Sequence, residues 1–94
     1  MARVVWSGVA RNNFREIISF IGTDSPAYAR SFGVRIQRRV QQLEAFPDSG
    51  RPVPEDPTGV YRELIIGNYR LIYLRDEEVV TIVVVIHGAR ALRL

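Results

Sequence analysis

Tyr61-Arg62-Glu63-Leu64-Ile65-Ile66-Gly67-Asn68-Tyr69-Arg70-Leu71-Ile72-Tyr73-Leu74-Arg75 is followed, after Asp76-Glu77-Glu78, by Val79-Val80-Thr81-Ile82-Val83-Val84-Val85-Ile86 and then His87-Gly88-Ala89-Arg90. The runs are β-branched and aromatic, of strand length, and turn residues separate them. Gly67-Asn68 between two such runs signals a tight hairpin. A two-residue loop there sets Ile66 opposite Tyr69, Ile65 opposite Arg70, Leu64 opposite Leu71, Glu63 opposite Ile72 and Arg62 opposite Tyr73. Strand side chains alternate faces. One face then carries Arg62, Leu64, Ile66, Tyr69, Leu71 and Tyr73, and the other Tyr61, Glu63, Ile65, Arg70, Ile72 and Leu74. The first is more apolar over its middle and is expected to pack on helices.

For the next hairpin, a loop at Asp76-Glu77 pairs Arg75 with Glu78 and Arg70 with Val83. The helix-facing set then gains Val80, Ile82, Val84 and Ile86. The open face gains Val79, Thr81, Val83, Val85 and His87. A slip of one residue exchanges the two sets. The near-continuous apolar run predicts a central strand covered on both sides, with a partner expected to cover part of the open face.

Upstream, Arg3-Val4-Val5-Trp6 reads as a short strand. Ser7 is a good N-cap, and Ala10, Phe14, Ile17, Ile18 and Ile21 then form one helical stripe. Gly22 is a plausible stop. Ser25-Pro26 restarts the chain with an N-cap and a proline at the first helical position. Ala29, Phe32, Ile36, Val40 and Leu43 repeat at spacings of three and four up to Phe46-Pro47. The short break predicts an αα-hairpin. Arg30, Arg35, Arg38, Arg39 and Gln42 lie mostly off the stripe, and for Arg35, Arg38 and Arg39 a solvated helix face is preferred over a nucleic-acid patch. Pro47 to Gly59 holds four of the five prolines and reads as an ordered loop.

Composition narrows the chemistry. Ninety-four residues with 47% apolar content fit one globular domain, residues 1–94. There is no cysteine, so disulfide and thiolate chemistry are absent and a cytoplasmic location is the expectation. One histidine cannot make a structural zinc site, and no cofactor motif is readable. The longest apolar run is too short to span a bilayer, and Met1-Ala2-Arg3 leads straight into a strand without a signal-peptide pattern. Net charge is +3, and all thirteen basic residues are arginine. Arginine offers a permanent planar fork for phosphates and carboxylates. The missing lysines remove the usual basic side chain with a tunable pKa.

On the expected register, Arg70 and His87 share the open face about 13 Å apart. Gly88 allows a sharp turn that brings Arg90 to the same rim. Arg62 stands at the far end of the hairpin. Together they are candidates for holding a polyanion or an acidic protein surface. Against this stand surface pairing of Arg62 or Arg70 with Glu63, Glu77 or Glu78, and a hydrogen-bonding rather than catalytic His87. Tyr61, Tyr69 and Tyr73 could stack on bases or simply pack.

Several fragments in order resemble the RelE/ParE superfamily of bacterial toxins. They are Trp6-Ser7, Ser25-Pro26 with Ala29 and Phe32, and Pro47-x-x-Gly50-Arg51-x-Val53-Pro54-Glu55. Tyr61-Arg62-Glu63-Leu64, Tyr69-Arg70-x-Ile72-Tyr73 and His87-Gly88-x-Arg90 complete the set, and the likeness runs from Val4 to Leu92. It implies an α+β fold of order β-α-α-β-β-β, with a helical hairpin on one face of a mostly antiparallel sheet. It also implies the toxin of a type II toxin–antitoxin module, neutralised by a cognate antitoxin in a hetero-oligomer. In the RelE branch the target is the ribosome with its mRNA, which the toxin cleaves. In the ParE branch it is DNA gyrase, with no known nuclease chemistry. By position, Arg70 and Arg90 resemble the transition-state arginines of the RelE branch, and Arg62 matches a basic residue there. Leu64 stands where that branch has a second basic residue, and the sequence as given ends at Leu94 without its C-terminal tyrosine. Cleavage needs a base, an acid and phosphate stabilisation, and only His87 could move a proton. The expectation is therefore a ParE-like gyrase inhibitor with Arg62, Arg70 and Arg90 on its target. The alternatives are an endoribonuclease using Arg62, Arg70, His87 and Arg90, or an inactive homologue that binds only antitoxin.

Overall fold

The structure, a computed structural model, describes residues 1–92. Strand β1 (Arg3–Trp6) leads into helices α1 (Gly8–Asp24) and α2 (Pro26–Gln41), and a 3-10 turn (Gln42–Glu44) closes the second helix. Strands β2 (Arg51–Pro52), β3 (Tyr61–Ile66), β4 (Tyr69–Arg75) and β5 (Val79–His87) follow. The sheet order is β1-β5-β4-β3-β2, with β1 parallel to β5 and every other pair antiparallel. β1 therefore lies at one edge, and the expected α+β layout is present.

Local chemistry explains the boundaries. The Ser7 hydroxyl accepts the Ala10 N–H at 3.0 Å and caps α1. Helix α1 runs through Gly22 and stops only at Ser25, whose N–H still bonds to the Ile21 carbonyl. Ser25 then caps α2 by accepting the Tyr28 N–H, and Pro26 opens it, so a single residue joins the helices. In the β3–β4 turn only Gly67 takes a positive φ, 58°. That pattern fits a II′ turn, since I′ needs positive φ at both central residues.

The β3–β4 register is the expected one, from Tyr61 opposite Leu74 to Ile66 opposite Tyr69. Leu64, Ile66, Leu71 and Tyr73 join Phe32, Ile36, Val40 and Leu43 in the helix-side core, with Tyr69 against it. Full burial of such an aliphatic or aromatic side chain is worth about 1.5–3 kcal/mol.

The β4–β5 register differs from the expectation in two ways. The loop is Glu77-Glu78 rather than Asp76-Glu77, because the Asp76 N–H bonds to the Val79 carbonyl at 2.9 Å. A bulge then leaves Val83 without a partner: Tyr73 pairs with Ile82, and Ile72 with Val84. One extra residue reverses the facing of everything beyond it. Val80 and Ile82 point to the helices as expected, but Val85 joins the core in place of Val84 and Ile86. His87 pairs with Tyr69, not with the open-face set. At the bulge the Val83 carbonyl accepts the Ser7 hydroxyl at 2.8 Å, tying it to the β1–α1 junction.

Ile72 points away from the helices and is nevertheless fully buried, as is Val53 of the proline-rich segment. The face expected to await a partner is thus partly covered by the chain itself.

Candidate functional site

Arg70 is the centre of the non-helical face. Its side chain is 8% exposed, and two carboxylates fill its fork. Glu55 takes it end-on: Nη1 donates to Oε2 at 2.7 Å and Nη2 to Oε1 at 2.6 Å. Glu63 takes it side-on, with Oε1 accepting Nε at 2.8 Å and lying 2.7 Å from Nη2. The other Glu63 oxygen accepts Arg51 Nε at 2.6 Å. Arg51, Glu63, Arg70 and Glu55 form an alternating chain whose formal charges cancel. Buried charges are tolerated when paired and hydrogen-bonded in this way. Among the described residues no buried polar side-chain atom lacks a partner.

Each carboxylate arrives by a different route. Glu63 comes from β3, two places from the Ile65 that faces Arg70, a diagonal within reach of long side chains. Glu55 comes from the segment after β2, and local bonds shape that segment. Asp56 accepts the Thr58 N–H and hydroxyl with one oxygen and the Tyr61 N–H with the other. The Thr58 hydroxyl and the Tyr61 N–H pull the Asp56 pKa below its ordinary value. Gly50 starts the segment. A Cβ there would sit 2.7 Å from the Glu63 carbonyl and 2.7 Å from the Tyr73 hydroxyl, so only glycine fits. The buried Tyr73 hydroxyl donates to the Pro47 carbonyl and accepts the Gly50 N–H, and burial raises its pKa.

The segment after β5 closes over the same cluster. The Gly88 N–H bonds to the Asn68 carbonyl at 2.7 Å, and the Arg90 N–H to the His87 carbonyl. The Arg90 carbonyl stands 3.5 Å from Arg70 Nη1, and Glu55 Oε2 accepts the Leu92 N–H at 3.0 Å. The hydrogen bonds from Arg70 first, and that from Leu92 second, hold the Glu55 carboxyl at a pKa of about 2 against its ordinary 4.5.

The four sequence candidates do not converge on one point, although Arg70 and His87 both line a groove of about 530 Å³ with Arg51 and Glu55. Arg70 and Arg90 meet, through the Arg90 backbone. His87 is corrected to the opposite face: it sits edge-on to Tyr69 with centroids 5.5 Å apart, and its Nδ1 accepts the Ala89 N–H. Arg62 lies on the helix side, three pairs along the ladder, where Nη1 donates to the Gly50 carbonyl at 2.7 Å. Arg62 therefore braces the loop after α2 rather than joining Arg70. The Arg90 side chain is exposed at the rim. With Tyr69, His87 and the 70%-exposed Phe20 of α1 it lines a shallow groove of about 210 Å³. Sequence reasoning missed Glu55 as a site residue. Its signal was a carboxylate in a proline-rich segment of a chain whose cations are all arginine, but nothing local fixes where such a segment folds back.

Chemically, the arrangement is a closed clamp beside an exposed cationic and aromatic rim. No described base and acid flank an open guanidinium. Among the described residues no three or more His, Cys, Asp or Glu cluster as a metal would need, and no helix is long and apolar enough to cross a membrane.

The model of one protein family, described as the ParE toxin of type II toxin–antitoxin system, parDE, matches residues 4–92. Among solved structures, a chain of the chromosomal ParDE TA system from P. aeruginosa is similar, with a TM-score of 0.76 at 20% identity, covering 93% of this chain and 96% of that one. At that identity the likeness speaks for the fold. No curated protein matches the sequence.

Proposed function

The chain belongs to the ParE toxin family of type II toxin–antitoxin systems, and from that premise we propose that it inhibits DNA gyrase by protein–protein contact and is neutralised by a cognate antitoxin. The observation that carries this reading is the closed fork of Arg70. Phosphate stabilisation requires donors aimed at the developing charge, and these donors are already spent on Glu55 and Glu63. Arg62 is engaged on the other side of the sheet, and His87 turns to Tyr69. The Arg90 rim with Phe20 and His87 stays exposed to a macromolecular target. Arginine and aromatic side chains are the usual anchors of protein interfaces. In this reading Arg90 touches the target, while Arg70 and Arg62 hold the framework that presents it. The target is cytoplasmic.

The antitoxin is read from the second helix. Helix α2 carries Arg30, Arg35, Arg38 and Arg39 and no acidic residue. Its outer face suits an acidic segment, in a toxin–antitoxin hetero-oligomer.

The deciding experiment is a pair of assays on purified toxin: plasmid supercoiling by gyrase, and mRNA integrity on programmed ribosomes. Inhibited supercoiling with intact mRNA is expected, and Arg90→Ala should weaken the inhibition at least tenfold. Cleaved mRNA with normal supercoiling overturns the proposal.

A further inference from the structure

We infer that Glu55 is the positioning residue of the toxin's target-contact rim: one carboxylate clamps Arg70 and the backbone after β5 together, and so fixes where Arg90 stands. This rests on the reading of the rim as the contact surface.

The geometry is specific. Glu55 Oε2 serves two partners, Arg70 Nη1 at 2.7 Å and the Leu92 N–H at 3.0 Å. Its partner oxygen completes the bidentate grip on Arg70. The segment carrying Arg90 is therefore pinned at both ends, by the Gly88 N–H on the Asn68 carbonyl and by the Leu92 N–H on Glu55. Between the pins the Arg90 carbonyl faces Arg70. Without the second pin, residues 89–92 keep only the local bonds of the Ala89 and Arg90 N–H groups to His87 and the 3.5 Å approach of the Arg90 carbonyl to Arg70, with Ala89, Arg90 and Ala91 all exposed. A rim whose arginine wanders must be ordered at the moment of binding, and that ordering weakens association.

Glu55 itself can be changed without opening the core. The helix-side cluster lies on the other face of the sheet, and Glu63 keeps its own bonds to Arg70 and Arg51. The Glu55 side chain is 30% exposed, against 0% for Glu63. The proline-rich segment is held independently by Asp56 and by the Val53 N–H on the Tyr61 carbonyl. Loss of Glu55 should therefore loosen the tail selectively.

The test compares wild type, Glu55→Ala, Glu55→Gln and Arg90→Ala as purified toxins. Three readouts are taken: amide exchange at Leu92 by NMR, gyrase inhibition, and affinity for the antitoxin. Glu55→Ala should speed Leu92 exchange at least tenfold and weaken gyrase inhibition about as much as Arg90→Ala does. Antitoxin affinity should stay within about threefold. Glu55→Gln keeps a carbonyl acceptor for the Leu92 N–H but loses the charged grip on Arg70, so it should fall between. The double variant Glu55→Ala/Arg90→Ala should be no weaker than the worse single one, as expected for two residues acting in one step. Unchanged Leu92 exchange in Glu55→Ala overturns the inference whatever the target. Fast exchange with full gyrase inhibition overturns the positioning role. If wild type itself leaves gyrase untouched, the proposed function fails, and the exchange arm still decides whether Glu55 pins the tail.

Discussion

Glu63 has no solvent at its side chain, and it persists there because arginines hold both of its oxygens. Its two partners differ. Arg70 is itself buried, whereas Arg51 is 59% exposed. Removing one member of a buried pair strands the other charge and costs about 3–5 kcal/mol, while an exposed partner contributes about 0–1 kcal/mol. Urea unfolding should show Arg70→Met, which strands the buried Glu63, losing an amount in the first range and Arg51→Ala in the second. Equal losses would mean that Arg51 sustains the buried carboxylate as much as Arg70 does. Half of this cluster was legible. Alternation along β3 and β4 puts Glu63 and Arg70 on one face, and their diagonal spacing follows from the Gly67-Asn68 turn. Glu55 was not legible, because it reaches Arg70 through a loop whose path depends on Gly50 meeting Tyr73 and on Asp56 gathering its own local donors.

At the scale of the element, the bulge at Val83 does most to arrange the site. Up to Ile82 the strand faces as its pattern predicts, and beyond Val83 every side chain is reversed. No period-2 signal marks the change, since Val83, Val84, Val85 and Ile86 suit either face equally. A bond to the bulge comes from 76 residues away, where the Ser7 hydroxyl donates to the Val83 carbonyl while also capping α1. A bond between residues so distant in sequence leaves no trace in either local stretch. Ser7→Ala removes an N-cap and leaves a part-buried carbonyl short of a donor, at a cost of about 1–2 kcal/mol. Thermal unfolding should register that loss. Ser7→Thr, which keeps the hydroxyl, should recover most of it. A neutral Ser7→Ala would mean that water replaces the hydroxyl and that the bulge stands without it.

For the whole molecule, acid is the informative stress. In the folded protein Glu55 titrates at about 2 rather than 4.5, and Asp56 is lowered in the same direction. A carboxyl depressed on folding stabilises fully above its unfolded pKa, and that stabilisation is lost as pH falls through the folded one. Stability should therefore decline between about pH 4.5 and about pH 2, and Glu55→Gln should flatten the decline. Urea midpoints across that range would show it, and identical slopes for the two proteins would contradict the assignment. The order of strands has a further consequence, one of time rather than energy. Among the described strands β1 is made first, yet its only neighbour in the sheet is β5, made last. A ribosome releases the chain from its N-terminus, and pairings distant in sequence form late and slowly. The five-stranded sheet cannot be completed until β5 has been made, so β1 waits for every element between them. Such a toxin keeps its first strand without a sheet partner until β5 is free of the ribosome.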